Sequence, residues 1–301
     1  MRRLSWRVRR LAAGTITVAL FTACSPDSPS TSPHPVLTQP EANAMAEVVA
    51  TDAAALSQGA TFDAATGVPF AVDAMMGAPS MPTSSATCTP TRSPSPPVNS
   101  DGDPVPDSVR VDSTGCTFTG DAHTVTLSGS IDIVDPTPAT TDRAFRTRSN
   151  AFTRSVTNST GTTRSVVENG VRSVLPTADQ VQLADTMTTE YTFASGTTAS
   201  HVRKWLATFA ADQAGSIQMG SRLPSGTWTI SGSSTYTSGT NSYSLSVTTS
   251  DPLHYNTSCS VEPRFDSGTL TAVVTKGTVS TTVTITFTAC GQYSVTRSPS
   301  A

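Results

Sequence analysis

Three sets of residues in this 301-residue chain have the types and spacing to do chemistry: an acidic run, a cluster of arginines and five cysteines. The acidic run is NSDGDPVPDS, Asn99 to Ser108. A hard cation wants several oxygen ligands, and carboxylates at alternate positions of a tight loop can converge on one ion. The run is therefore a weak calcium candidate. The competing reading is an acidic, Pro-rich turn leading into a strand at Val109. The arginines are Arg143, Arg146, Arg148, Arg154, Arg164 and Arg172, six within thirty residues. In an extended segment Arg146 and Arg148 share a face. With Arg154 they would suit an acidic sugar, a phosphate or a partner's carboxylate, through the bidentate guanidinium fork. The competing reading is a solvated sheet face whose charges discourage edge pairing.

The other signatures of catalysis are missing from the sequence. It holds no G-x-S-x-G, H-E-x-x-H, phosphate-cradling or dinucleotide motif. The four histidines, His34, His123, His201 and His254, lie far apart. A dispersed active site is recognised by geometry rather than by spacing. No catalytic residue and no cofactor is therefore assigned, apart from the weak calcium candidate. Trp228, Tyr236 and Tyr243 could stack on a sugar, but Ile230 and Leu245 share their faces, which favours a core role.

The N-terminus fixes the expected address. Five arginines (Arg2, Arg3, Arg7, Arg9 and Arg10) precede an apolar run from Leu11 to Phe21, then Thr22, Ala23 and Cys24. A charged region, a short apolar region and small residues make an export signal. The apolar run is about half the roughly 20 residues that a spanning helix needs. LFTAC resembles a bacterial lipobox, in which the cysteine is acylated and becomes the first residue of the mature chain. Several acyl chains on Cys24 would anchor it stably to a membrane. Ser25, following the cysteine, resembles an outer-membrane sorting signal in a bacterium with two membranes.

Removal of residues 1–23 leaves 14 Lys and Arg against 22 Asp and Glu. Nucleic-acid binding draws its affinity from phosphate neutralisation, so that class is set aside. Cys88, Cys116, Cys259 and Cys290 remain, an even number in an exported chain, and point to disulfides. Cys88–Cys116 and Cys259–Cys290 are the preferred pairs, each closing a loop of about 30 residues.

The elements that must position these groups are mainly β. Residues 24–40 hold the lipidated cysteine and a Ser/Pro tether. Residues 41–82 carry a helix, from Glu41 to Gly59, whose apolar stripe should pack on a sheet. Residues 83–107 read as a Ser/Thr/Pro and acidic loop. Residues 108–297 alternate apolar residues with Ser or Thr, as in TVTLSGSIDIV and STTVTITFTAC, the pattern of strands with one wet face. Asn169-Gly170 reads as a two-residue hairpin turn. HVRKWLATFAAD, from His201, reads as a strand, with Trp205, Ala207 and Phe209 alternating. Ser and Thr supply about 30% of the chain. A sheet that polar needs one solvated face, so an antiparallel meander or sandwich with one N-terminal helix, stapled by disulfides, is expected.

The acidic run is similar to the D-x-D-G-D-G-x-x-D loops of thrombospondin type 3 and related extracellular calcium repeats, a likeness that implies side-chain oxygens from Asn99, Asp101, Asp103 and Asp107 and a backbone carbonyl from Val105. Here Pro104 replaces the turn glycine, Asn99 replaces the first acid and no bidentate Glu follows. As a whole, the lipobox, the tether and the FDSGTLT…TITFTACG layout resemble uncharacterised β-rich bacterial lipoproteins. That likeness implies location and fold class but no activity. The function expected is a membrane-anchored envelope or surface module of binding or structural type, engaging a glycan or an envelope protein. An envelope hydrolase with a dispersed site and a scaffold without ligand are the alternatives. The anchor is tested by replacing its cysteine: Cys24→Ser should leave the detergent phase and the membrane fraction, and its retention there would remove the lipid anchor from the reading.

Overall fold

A computed structural model of the protein describes residues 36–60, 85–86, 90–119, 123–218 and 221–299. The signal segment, Cys24, most of the tether and Cys88 lie outside these residues.

The helix α1 (Gln39–Gly59) starts at a capping box. The Glu41 carboxylate accepts the Thr38 N–H at 2.8 Å, while Thr38 Oγ1 accepts the Glu41 N–H at 3.4 Å. These bonds satisfy two donors that a helix start leaves open, and Pro40 in the first turn lacks one of the others. An apolar stripe on one side was expected. Instead every residue from Asp52 to Ala60 is buried, and Asn43 and Glu47 are the exposed positions of α1 beyond its first turn. A helix sealed on nearly all sides sits inside something.

It sits inside one antiparallel sheet. Two short strands, β1 (Ser85–Ala86) and β2 (Thr91–Val98), precede β3 (Ser108–Asp112), β4 (Cys116–Thr119), β5 (His123–Val134) and β6 (Phe145–Asn158). Long strands follow: β7 (Thr163–Pro176), β8 (Gln180–Thr192), β9 (Thr198–Ala211) and β10 (Gly226–Ser238). The last four are β11 (Asn241–Tyr255), β12 (Phe265–Lys276), β13 (Val279–Ala289) and β14 (Gln292–Pro299). From β5 to β14 each strand pairs with the next in sequence, a pure meander. The other edge of β5 is shared by β4 at one end and β3 at the other, which pair onward with β1 and β2. The stretch expected as a loop over 83–107 thus contains β2. Its three prolines cannot donate to a ladder, which fits its place at an edge.

The sheet curls, because one helix meets inner faces many strands apart. Arg172 of β7 bonds the Ala55 carbonyl, Tyr243 of β11 bonds Glu41, and Arg297 of β14 bonds the Leu37 carbonyl. No pairing joins the two ends of the sheet among the described residues, so it wraps α1 without closing. The strands alternate buried and exposed positions, with β8 placing Val181, Leu183, Asp185, Met187, Thr189 and Tyr191 inside. Burial of Trp205, Phe209, Trp228, Phe265 and Leu270 gives the core its largest apolar groups, each worth about 1.5–3 kcal/mol. The wet face carries the Ser and Thr.

Asn169-Gly170 is not a turn but lies inside β7. It stands opposite a bulge in β6, where Ser149 pairs Gly170 and Phe152 pairs Glu168, so one extra residue is accommodated. The Asn169 side chain accepts the Ala151 N–H at 2.8 Å, and Gly170 allows β8 to pass where a Cβ would meet the Thr186 carbonyl. The side-chain chemistry that favours a turn here stabilises a bulge instead. A disulfide joins Cys259 to Cys290 across a sequence separation of 31, tying the loop before β12 to the β13–β14 turn. In the chain-entropy model it is worth about 3–4 kcal/mol. Cys116 is buried and disulfide-bonded. Cys88, its expected partner, lies outside the described residues.

Candidate functional site

Charged residues cross the inside of the sheet under α1. On β8 and β9 the inward parity that carries Leu183, Trp205 and Phe209 also carries Asp185, His201 and Arg203. Arg172 of β7 stands directly opposite Asp185, while Arg203 lies diagonal to it. The result is a chain of contacts. Arg172 Nε meets Asp185 Oδ1 at 2.9 Å, Arg203 Nε meets Asp185 Oδ2 at 2.6 Å, and Arg203 Nη1 meets Asp52 Oδ1 at 2.7 Å. Asp52, on the helix, also accepts from Tyr191 at 2.7 Å and contacts His201 Nδ1 at 2.5 Å. Arg154 and Glu168 form a further buried pair at 2.7 Å.

The electrostatics follow from burial and pairing. Burial alone would raise the Asp52 carboxyl, but Arg203 and His201 outweigh it and hold the group below its ordinary value. The Tyr191 hydroxyl is pushed well up by burial and by Asp52. His201 is fully buried, and its Nε2 has no hydrogen-bond partner among the described residues. An Asp–His pair sealed in this way ties α1 to β9. His254 is held at both ring nitrogens, by Asp266 at 2.7 Å and Asp212 at 3.1 Å.

Beside this band lies a cavity of about 680 Å³. One wall is α1 with Glu47, Ala50, Thr51 and Ala54; the facing wall is Arg154, Val156 and Val166 of β6 and β7. Tyr191 and Phe193 stack at 6.2 Å along one side. Tyr236 comes from β10, Glu262 from the connection between β11 and β12, and Tyr293 from β14 at the far end of the meander. Curling alone brings these two ends together. Burial pushes the Glu262 carboxyl up to about 7, although Arg264 Nε lies 2.9 Å away. Such a group exchanges between donor and acceptor near neutral pH.

The residues singled out from sequence are sorted differently by the fold. Arg146 and Arg148 lie on the wet face of β6, whereas Arg154 is buried. The bulge between Ser149 and Phe152 explains this, since one extra residue reverses the inward parity. The three arginines therefore do not make one groove. Trp228, Tyr236 and Tyr243 are buried, as the core reading expected.

The acidic loop is sorted too. The Asn99 carboxamide accepts from Gly102 N at 2.8 Å and donates to the Asp103 carbonyl. Asp107 accepts from the Ser100 N–H and hydroxyl. Val105 is buried, with its N–H on Asp103. These three shape the turn. Asp101 and Asp103 instead gather with Asp135, from the connection after β5, with one oxygen of each within 4.8 Å of the others. Burial, then Asp103, Asp101 and Asp142, push the Asp135 carboxyl up, against a backbone bond from Thr137.

Sequence reading missed Asp52, Asp185, Arg203 and Asp135. The first three carry a signal in strand and helix parity: a charge at an inward position among apolar neighbours. Asp135 carries none, because its partners lie thirty residues away.

Two outcomes test these assignments. Asp52→Ala leaves Arg203 buried beside one fewer carboxylate, and should cost about 3–5 kcal/mol in urea unfolding. The pH dependence concerns His254, whose pKa is raised above 6.5, first by the Asp266 bond. Its contribution to stability is complete below about pH 6.5 and is lost as pH rises through the higher folded value. Unfolding between pH 5.5 and 8.5 should show this decline, roughly over the span set by that pKa. The His254→Gln variant should decline less steeply, with Glu262 still contributing below about pH 7, and equal slopes would refute the clamp.

Comparison of the chain with protein-family models, curated proteins and solved structures found no match, so the functional reading rests on this geometry.

Proposed function

We propose that this protein is an exported, lipid-anchored binding module of the cell envelope, held in the outer membrane where the cell has two membranes. Its ligand is a glycan segment seated in the cavity beside α1. The observation that carries the reading is the cavity itself, concave and lined by both ring faces and short polar side chains. Sugars present flat C–H faces to aromatic rings and hydroxyls to polar groups. Tyr191, Phe193 and Tyr293 offer the first; Thr51, Ser165, Ser195, Thr197 and Glu262 offer the second. A volume of about 680 Å³ falls in the range of small-ligand sites rather than of flat protein interfaces. The enclosed state of His201 and the double engagement of His254 support binding without turnover.

The anchor at Cys24 would set the module at a membrane surface beside envelope glycan, with the Ser/Pro stretch as its leash.

Soluble peptidoglycan fragments are the first probe, titrated calorimetrically into the full chain in detergent. Binding should be measurable, and Phe193→Ala and Tyr293→Ala should each weaken it about 3- to 10-fold, the scale of one lost ring contact. These two rings are only half-buried, so the variants should stay folded. No binding by the intact protein, or equal binding by both variants, would refute the glycan reading.

A further inference from the structure

We infer that Asp101, Asp103 and Asp135 form a calcium site that joins two loops of the sheet. It goes beyond the cavity and shares no residue with it.

The geometry begins with the spacing. One oxygen from each carboxylate lies within 4.8 Å of the other two. Oxygens that share one calcium ion at about 2.4 Å lie no more than about 4.8 Å apart, so this spacing is compatible with a common ion. Each carboxylate is already aimed by a backbone donor on the same side chain. Asp101 Oδ1 accepts from Asp103 N at 3.0 Å, and Asp135 Oδ1 accepts from Thr137 N at 2.7 Å. Asp103 accepts from Val105 N at 2.6 Å and, through its second oxygen, from Arg143 N at 3.0 Å. Partners of this kind orient metal ligands.

The independent observation is what remains. Asp135 is 4% exposed, and its Oδ2 has no hydrogen-bond partner among the described residues. Asp101 Oδ2 is in the same condition. Burying a carboxylate oxygen without a protein donor is costly, and a cation is the partner that removes the cost for both at once. The side chains that gather here are all carboxylates, with no histidine or cysteine in the group, which selects a hard ion. Calcium, tolerant of irregular oxygen shells, fits three such carboxylates better than magnesium.

The site differs from the one the sequence suggested. Its third ligand comes from the β5–β6 connection, not from Asn99, Val105 or Asp107. Calcium would therefore pin the loop before β3 to the connection after β5. Its affinity should lie in the extracellular range, about 0.1–1 mM.

The test uses the full chain in detergent, stripped with chelator and melted in 0 to about 10 mM calcium chloride, a range spanning that affinity. The melting temperature should rise with calcium. At ten times the dissociation constant the folded-to-unfolded ratio should increase about 11-fold. Magnesium chloride at the same concentrations should raise it less. Asp135→Asn should melt no lower than the intact chain without calcium and should lose the rise, whereas Asp107→Asn should keep it. If Asp135→Asn does not fold, Asp101→Asn is read in the same way. The site is overturned by a flat calcium response, by a rise that Asp135→Asn or its substitute retains, or by an equal response to magnesium.

Discussion

The fold depends on a contact between unlike elements: Asp52 of the helix against Arg203 and His201 of the sheet. A buried ion pair is weak as a source of stability, because desolvation consumes most of the attraction. Its value here is in placement. An Ala-rich helix presents few large side chains, so dispersion distinguishes poorly between neighbouring rotations and slides. A carboxylate that must meet a buried guanidinium admits one. Arg172, bonded to the Ala55 carbonyl on one side and Asp185 on the other, holds the last turn in the same frame. Gly59 leaves the space that the Arg172 guanidinium fills, since a Cβ there would lie 1.6 Å from its Nη1.

With the helix located, the sheet's form follows. A single-layer meander has one apolar face to hide, and without a second sheet it can hide it by curling over the helix. The strands keep most of their Ser and Thr outward in water, with Thr147, Thr189 and Thr281 among the buried exceptions, which explains how so polar a chain builds a core. Curling also produces the cavity. Tyr191 on β8 and Tyr293 on β14 are six strands apart, yet they line the same space. Tyr191 belongs both to that wall and to the Asp52 network, so the group that fixes the helix also shapes the cavity.

Local irregularities decide which side chains reach the inside. The extra residue at Asn150–Ala151 leaves Arg146 and Arg148 in solvent and turns Arg154 inward against Glu168. Spacing in sequence showed the arginines as one cluster, and parity with a bulge divides them. Asn169-Gly170 is a similar case. Its preference for unusual backbone was legible, but whether that serves a turn or a bulge depends on the strand alongside. The acidic loop repeats the pattern: its Asx-type bonds are local and readable, whereas the role of Asp135 is not.

By itself the sequence determined the strand-rich class, the single N-terminal helix among the described residues, the inward row of β9 and the Cys259–Cys290 pair. Each of these rests on local periodicity, composition or short separation. The tertiary structure alone decided that the sheet wraps the helix, that charges from β7, β8, β9 and α1 meet in one band, that distant aromatics enclose a cavity, and that Asp135 joins Asp101 and Asp103. The reason is physical: sheet curvature and bulges are summed over many strands, so the side chains they bring together carry no mark of one another along the chain.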